Sequence, residues 1–276
     1  MSELIFTKSQ YHLFKCHLCG FIFVHPSPDR ETIENYYLSQ YYENEERYHR
    51  INKATQRIWN HRIETIEKYL PDHKKNGSTR SIIDVGCATG FFLQIAQNKG
   101  WDSYGVEHSE FATSQAALRI GEGKVHNVNF QEFDTQLKFS ALSAWDVIEH
   151  VSDPLSFLKK ANSLLQDGGT LAFSTVNTAS LNHWLFKQYW RYYTPPEHLS
   201  YFNLHNIQWA LNQTSFEPLE IHTLFNYQAF VDGIKKSHTP YPKPNPLIKL
   251  LLFAPRKLSE WVQQGDIIEI WAKKLS

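Results

Sequence analysis

Asp84-Val85-Gly86-Cys87-Ala88-Thr89-Gly90 is the stretch of this chain best suited to hold a ligand. An apolar run, Ser81 to Val85, precedes it, and a helical pattern, Phe91 to Lys99, follows. The glycines therefore fall where a strand turns into a helix, and they let the backbone bend sharply and come close to a bound molecule. The helix start adds free N–H groups and a positive dipole, which favour a carboxylate or phosphate. Glu107 closes the next predicted strand, where an acidic side chain can accept bonds from both ribose hydroxyls of an adenosine cofactor. The turn is GxxxG rather than GxGxxG, and no Walker pattern occurs. Asp84 would crowd a pyrophosphate, but it can accept a hydrogen bond from an amino group. The combination favours the amino-acid end of S-adenosylmethionine over NAD.

A second set of reactive side chains lies further on. Glu149-His150 follows the fourth predicted strand and reads either as a catalytic pair or as an anchor for the loop there. Methyl transfer from a sulfonium is an in-line displacement that rests largely on positioning and desolvation. A hydroxyl acceptor would gain from a base of near-neutral pKa, which histidine supplies. His198, in the aromatic segment Trp190 to Phe202, is the preferred candidate for that base, with His150 second and His183 third. Trp190, Tyr192 and Tyr193 are candidates for pocket walls, or they pack a core. Cys16-His17-Leu18-Cys19 is a metal-type knuckle, but structural zinc needs four ligands and a second CxxC is absent. His12, His17 or His25 would have to complete it. The expectation is a structural remnant, so no metal site is assigned. Cys87 sits in the glycine turn and is not expected to act as a nucleophile.

These residues need a scaffold, and the pattern supplies one. Strands are predicted at Ser81–Val85, Ser103–Glu107, around Val125–Val128, at Phe139–Trp145 and at Thr170–Val176. Helices at Phe91–Lys99, Phe111–Arg119 and from Pro154 alternate with them, and an earlier helix spans Ile51 to Leu70. This rhythm implies an α/β fold, a mainly parallel Rossmann-like sheet with helices on both faces. A helix near Leu204–Leu211 and strands near Leu219–Phe225 and Ile267–Ala272 follow. Residues 1–50 read as an aromatic N-terminal segment with the knuckle and a tyrosine cluster (Tyr36, Tyr37, Tyr41, Tyr42), and residues 51–276 as the main domain. The proline-bearing stretch 226–264, with a helical pattern over Leu247–Val262, reads as a lid or substrate-side insertion.

With 276 residues, 28 basic and 28 acidic side chains, the chain has no net charge to draw it to nucleic acid or anionic membrane. Three cysteines give no disulfide framework, and no apolar run approaches a membrane span. The N-terminus lacks the regions of a signal peptide. A cytoplasmic protein acting on a small molecule, with a homodimer as one option, is the expectation.

Residues 81–223 resemble the class I methyltransferase family, in the branch similar to ubiquinone-biosynthesis O-methyltransferases. The matching pieces are Ile83 to Gly90, Gly105-Val106-Glu107, Trp145 to Val151, Leu164 to Gly169, Pro196 to Phe202 and Gly265 to Ile270, in the expected order. The knuckle and Phe23 to Pro28 look like the second half of that branch's N-terminal zinc ribbon. The resemblance implies a seven-stranded sheet with its last strand antiparallel. It also implies that S-adenosylmethionine is the cofactor and that a hydroxyl of a secondary metabolite, sugar or lipid-like molecule is the acceptor. Asp84, Gly86 and Gly90, with Cys87 in the same turn, would hold the methionine moiety. Glu107 would hold the ribose with His108 against the adenine, and Asp146 and Val147 would lie near the sulfonium. The chain departs from the pattern at Ala88 and Ser140. It also lacks an obvious acidic residue after the third strand, where Asn127, Asn129 or Gln131 stands in. Three other readings compete: a non-catalytic cofactor-binding scaffold, an NAD-dependent oxidoreductase and a zinc-dependent nucleic-acid module.

Overall fold

Short strands rich in Ile, Val and Ala with almost no exposed face must pair centrally in a covered sheet, and β4 (Ser81–Val85) and β7 (Phe139–Trp145) do so. The computed structural model describes residues 1–29, 31–33, 35–36, 53–70, 80–227, 229–230, 232 and 263–276. Around the central pair stand β5 (Asp102–Glu107), β6 (Val125–Asn127), β8 (Leu165–Val176), β10 (Phe216–Leu224) and β11 (Ile267–Lys274). The seven strands run in the order β10-β11-β8-β7-β4-β5-β6. Pairing is parallel from β8 to β6, and β11 is antiparallel to both its neighbours. The order reverses between β4 and β7, the switch point where α/β folds bind ligands beyond the strand ends.

Helices cover both faces. On one lie α1 (Lys53–Tyr69), α2 (Phe91–Asn98) and α3 (Glu110–Ile120), which bury Ile63, Ile66, Phe92, Leu93 and Ala116 with Trp101 and Trp271. On the other lie α4 (Pro154–Leu164) and α6 (Leu204–Gln213), packed through Phe157, Leu158, Ile207 and Leu211. Caps set the starts: Asp153 accepts from Ser156 N–H, with Pro154 at the first helical position, and Asn203 and Asn206 form a capping box on α6. A short α5 (Leu181–Phe186) follows β8.

The structure adds what the periodicity did not show. Residues read as an aromatic segment form β1 (Ser2–Lys8), β2 (Tyr11–Cys16) and β3 (Ile22–His25). They make a second, antiparallel sheet completed by β9 (Ser200–Tyr201). Leu13, Ile22 and Val24 pack there against Trp190, Tyr193, Tyr201 and Val176. β8 also begins at Leu165 rather than at the predicted Thr170, because α4 runs straight into it. Its register slips between Leu165 and Thr170, where Gly168 takes a φ of +73°. Ile51, Tyr37, Tyr41, Tyr42, Leu247–Val262 and most of 226–264 lie outside the described residues. No helix among the described residues is long and apolar enough to cross a membrane.

One buried ion pair ties α1 to the sheet. Arg62 Nη2 and Nε lie 2.6 and 2.8 Å from Glu269 Oε1, and its guanidinium sits 4.1 Å over the Trp145 ring. Removing one partner leaves the other charge stranded, which costs about 3–5 kcal/mol. Arg62→Ala is therefore expected to lower unfolding free energy in denaturant by about that amount, and the Arg62→Met/Glu269→Leu pair should recover most of it.

Candidate active site

The ends of β4, β5 and β7 meet at the switch point. Beyond β4 the backbone turns through three left-handed residues, Gly86 (φ +69°), Ala88 (φ +46°) and Gly90 (φ +80°). A Cβ on Gly86 would lie 2.7 Å from Val147 Cγ2, and one on Gly90 2.9 Å from Ala116. Both glycines are thus required by conformation and by close approach. Ala88 accepts its left-handed turn at some conformational cost, and Glu107 holds it there. Oε2 of that buried carboxylate accepts from Ala88 N–H at 3.0 Å, and Oε1 from Ser109 N–H at 3.0 Å. Each carboxylate oxygen has two lone pairs, so acceptor positions remain for a ribose. His108 Nδ1 lies 3.3 Å from Glu107, and its side chain is 43% exposed, so the ring faces outward.

Asp84 is 3% exposed, and Ser143 Oγ donates to its Oδ1 at 2.6 Å. Burial raises its pKa to about 7, against the lowering effects of the Ser143 bond and the Arg62 charge. Cys87 is buried in the turn, and burial pushes its thiol well above the usual range, which makes it unreactive. Gly105 on β5 has no Cβ because Cys87 Sγ would lie 2.6 Å away. Asp146 leaves β7 with a φ of +57°. Its N–H donates to Ser174 Oγ at 2.9 Å, and Ser174 Oγ donates to its Oδ1 at 2.6 Å. That residue's strained backbone is fixed from β8, and it aims Val147 back at Gly86.

After Val147 a single 3₁₀ turn, Ile148–His150, brings Glu149 and His150 against the segment carrying His198. The two imidazoles lie 4.7 Å apart edge to face, and Tyr192 stacks on His198 at 6.2 Å. His150 Nδ1 is 2.8 Å from the Glu197 carbonyl oxygen. His198 Nδ1 and Glu149 Oε2 are buried with no hydrogen-bond partner. Burial drives Glu149 well above the usual carboxylate range and His198 well below the usual imidazole range. His150 is lowered by the same cause. An unpartnered Nδ1 that carries no proton offers its lone pair as an acceptor. Glu149, His150 and His198 offer donor atoms that all lie within 4.8 Å of one another, and they are the group among the described residues that could hold a metal ion.

The sequence singled out His150 and His198 separately, and the fold brings them together. Glu149 gains its weight from burial beside them. His183 goes elsewhere: its Nε2 is 2.9 Å from Tyr193 OH, and burial lowers its pKa to about 4. Trp190 and Tyr193 are core residues under the N-terminal sheet, whereas Tyr192 is the ring beside the histidines. Asn127 donates to the Glu107 carbonyl oxygen, and Asn129 Oδ1 accepts from Gln131 N–H. None of the three candidates is singled out for the adenine. His12 and His25 face each other across β2 and β3, and no described His joins Cys16 and Cys19 in a three-ligand group. The Arg62–Glu269 and Ser143–Asp84 pairs carry no local signal, since their members lie far apart in sequence.

A sheet of this order, with a glycine turn after β4 at the switch point, is the class I S-adenosylmethionine-dependent methyltransferase fold. Comparison with known proteins agrees. The family described as a methyltransferase domain matches residues 45–221, and the chain belongs to the S-adenosylmethionine-dependent methyltransferases. Ubiquinone biosynthesis O-methyltransferase of Acinetobacter baylyi is 24% identical over 125 residues, 42% of this chain and 52% of that protein. Its counterpart in Coxiella burnetii is 30% identical over 104 residues, 36% of this chain and 44% of that protein. The match thus spans about half the length of these relatives. A methyltransferase structure from Archaeoglobus fulgidus superposes with a TM-score of 0.56 at 16% identity, over 85% of this chain and 99% of that one. One from Clostridium acetobutylicum gives 0.52 at 12%, over 88% and 99%.

Asp84 is expected to titrate near neutral pH in the ligand-free protein. A carboxyl whose pKa rises on folding binds its proton more tightly in the native state. Its contribution to stability is therefore full below the unfolded value of about 3.9 and falls as pH rises through about 7. Asp84→Asn should remove that part of the pH dependence of unfolding free energy.

Proposed function

We propose that this protein transfers the methyl group of S-adenosylmethionine to a hydroxyl of a small molecule, a secondary metabolite, sugar or lipid-like compound. The observation that carries the reading is His198, buried beside His150 next to the β7 end, with its Nδ1 unpartnered. Asp84 accepts the methionine amine, and the turn at Gly86, Cys87 and Gly90 lets the backbone approach the same moiety. Glu107 accepts from the ribose, His108 covers the adenine, and Asp146 and Val147 border the sulfonium. The hydroxyl oxygen attacks the methyl carbon in line, the O–C bond forms as the C–S bond breaks, and S-adenosylhomocysteine leaves. The hydroxyl proton passes to His198 Nδ1. Desolvation keeps that imidazole neutral and so able to accept, while making it a weaker base than the near-neutral one the sequence led us to expect, so proton transfer accompanies methyl transfer rather than preceding it. His150, tied to the Glu197 carbonyl, sets the edge against which His198 stands. The O-methyltransferase names of the relatives support an oxygen acceptor.

A second reading rests on Glu149. A buried carboxyl with one unpartnered oxygen beside two imidazoles is also a donor set for a divalent cation. Such an ion would acidify a bound hydroxyl and take over the proton problem from His198. The two readings separate cleanly: turnover lost to a chelator and restored by a divalent cation supports the ion, and turnover that survives chelation supports the imidazole.

The proposal is tested by calorimetry and by turnover once an acceptor is in hand. Glu107→Ala is expected to weaken S-adenosylmethionine and S-adenosylhomocysteine about 10- to 100-fold by removing charge-assisted bonds of roughly 1.5–3 kcal/mol. His198→Ala should cut kcat about 10²-fold or more while leaving cofactor affinity unchanged. Full activity in that variant would remove His198 from the mechanism, and NAD binding in place of S-adenosylmethionine would overturn the whole reading.

A further inference from the structure

Away from the glycine turn, a cavity of about 350 Å³ opens between α1, β10 and the segment leading into β11. Its lining includes His61, Ile221, His222, Leu224, Gln263 and Glu269. The strand register explains why these residues meet. His222 pairs with Glu269, so their side chains rise from one face of the sheet, and His61 of α1 meets that face with its ring 6.3 Å from that of His222. Glu269 pairs in turn with Ser174, and Ser174 with Trp145. The cavity therefore lies in the row that ends beside Asp146, three strands away, which is roughly 14 Å at about 4.8 Å per strand.

The polar lining is held from behind. Glu269 is buried, and both Arg62 contacts fall on its Oε1, which leaves Oε2 for the cavity. His222 Nε2 bonds Glu220 Oε1, and the other oxygen of that carboxylate accepts from Lys68 and Tyr69, so the ring is fixed with Nδ1 left over. The turn carrying Gln263 is held by Asn177, whose Nδ2 donates to the carbonyl oxygens of Gly265 at 2.8 Å and Gln263 at 3.4 Å. Each fixed charge is answered within the protein, Glu269 by Arg62 and Glu220 by Lys68. Among the described residues, the cavity thus offers no spare fixed charge to a phosphate or an amine. It offers two acceptors, Glu269 Oε2 and His222 Nδ1, an amide at Gln263 that both donates and accepts, and apolar patches at Ile221 and Leu224. Hydroxyls set beside C–H faces complement that set, and a pyranose ring presents both. The volume falls in the range of small-molecule sites, roughly 300–1,000 Å³.

We propose that this cavity is a saccharide subsite that anchors a sugar ring of the acceptor, away from the hydroxyl that is methylated. The inference rests on the methyl-transfer reading for its acceptor and narrows that acceptor to a glycoside. A remote anchor of this kind binds ground state and transition state alike, so it governs KM rather than kcat.

Saturation-transfer NMR of the full chain with the methyl α-glycosides of glucose, galactose, mannose and xylose tests the subsite without turnover. At least one is expected to bind saturably. His222→Phe, which keeps a ring against Trp271, and Gln263→Leu should each weaken that binding about 10-fold by removing one hydrogen bond. S-adenosylhomocysteine affinity, measured in parallel, should stay unchanged, which shows that the variants are folded. It also separates the two readings: loss of S-adenosylhomocysteine binding in the unaltered protein counts against methyl transfer, whereas the subsite is judged on the glycosides. No saturable binding by any of the four, undiminished binding in both variants, or displacement by inorganic phosphate would overturn the subsite. In turnover, the glycoside that binds should raise the KM of the acceptor with kcat unchanged. Inhibition that lowers kcat alone would overturn the assignment of the cavity to the acceptor.

Discussion

Two backbone N–H groups from different strand ends, those of Ala88 and Ser109, converge on the single carboxylate of Glu107. That convergence holds the site together. It ties the turn after β4 to the turn after β5, and a charge-assisted bond of this kind is stronger than one between neutral groups. With Ala88 held, Gly86 can sit under Val147 and Gly90 against Ala116, distances that admit no side chain. The three left-handed residues in that turn have conformational costs that the Glu107 bonds and the packing of α2 and α3 must offset.

Buried charge is spread along the same layer of the sheet. Asp84 on β4 is bonded by Ser143 of β7, and Glu269 of β11 by Arg62 of α1, while Asp146, just past β7, is exposed and is held by Ser174 of β8, the register partner of Glu269. Arg62 also acts on Asp84 at longer range and lies over Trp145. A parallel sheet covered on both faces leaves little water for a carboxylate, so each acquires a donor from a neighbouring strand or helix. Glu149 is the exception, with one oxygen unpartnered at the β7 end, and such an exception is where function is to be sought.

The N-terminal sheet links this layer to the histidines. β3 pairs with Ser200 and Tyr201, and Leu199 N–H donates to the Glu149 carbonyl oxygen, so His198 is suspended between the second sheet and the loop after β7. Tyr201 OH closes back on the His198 carbonyl oxygen, and Trp190 and Tyr193 fill the space behind. The aromatic wealth of this segment serves mainly to hold the two sheets together. Only Tyr192 among the rings singled out lies against an imidazole of the site.

The elements that carry the glycine turn were legible because their cues are local. An apolar run, a glycine turn and a helical repeat place β4, α2 and β5, with Gly86, Gly90 and Glu107, in consecutive residues. By the same token Cys87 was legible as a turn residue rather than a nucleophile. The second sheet was not legible. Its strands are short, β9 has only two residues, and its pairing joins Ile22 and Phe23 to residues far along the chain. Strand pairing of that kind depends on contact order and leaves no periodic trace. The partners of Asp84 and Arg62, the loss of His183 to Tyr193 and the meeting of Glu149, His150 and His198 were likewise decided by tertiary structure. The reason is physical: a residue's type states which bonds it can make, but burial and the neighbours that burial brings decide which of them it must make.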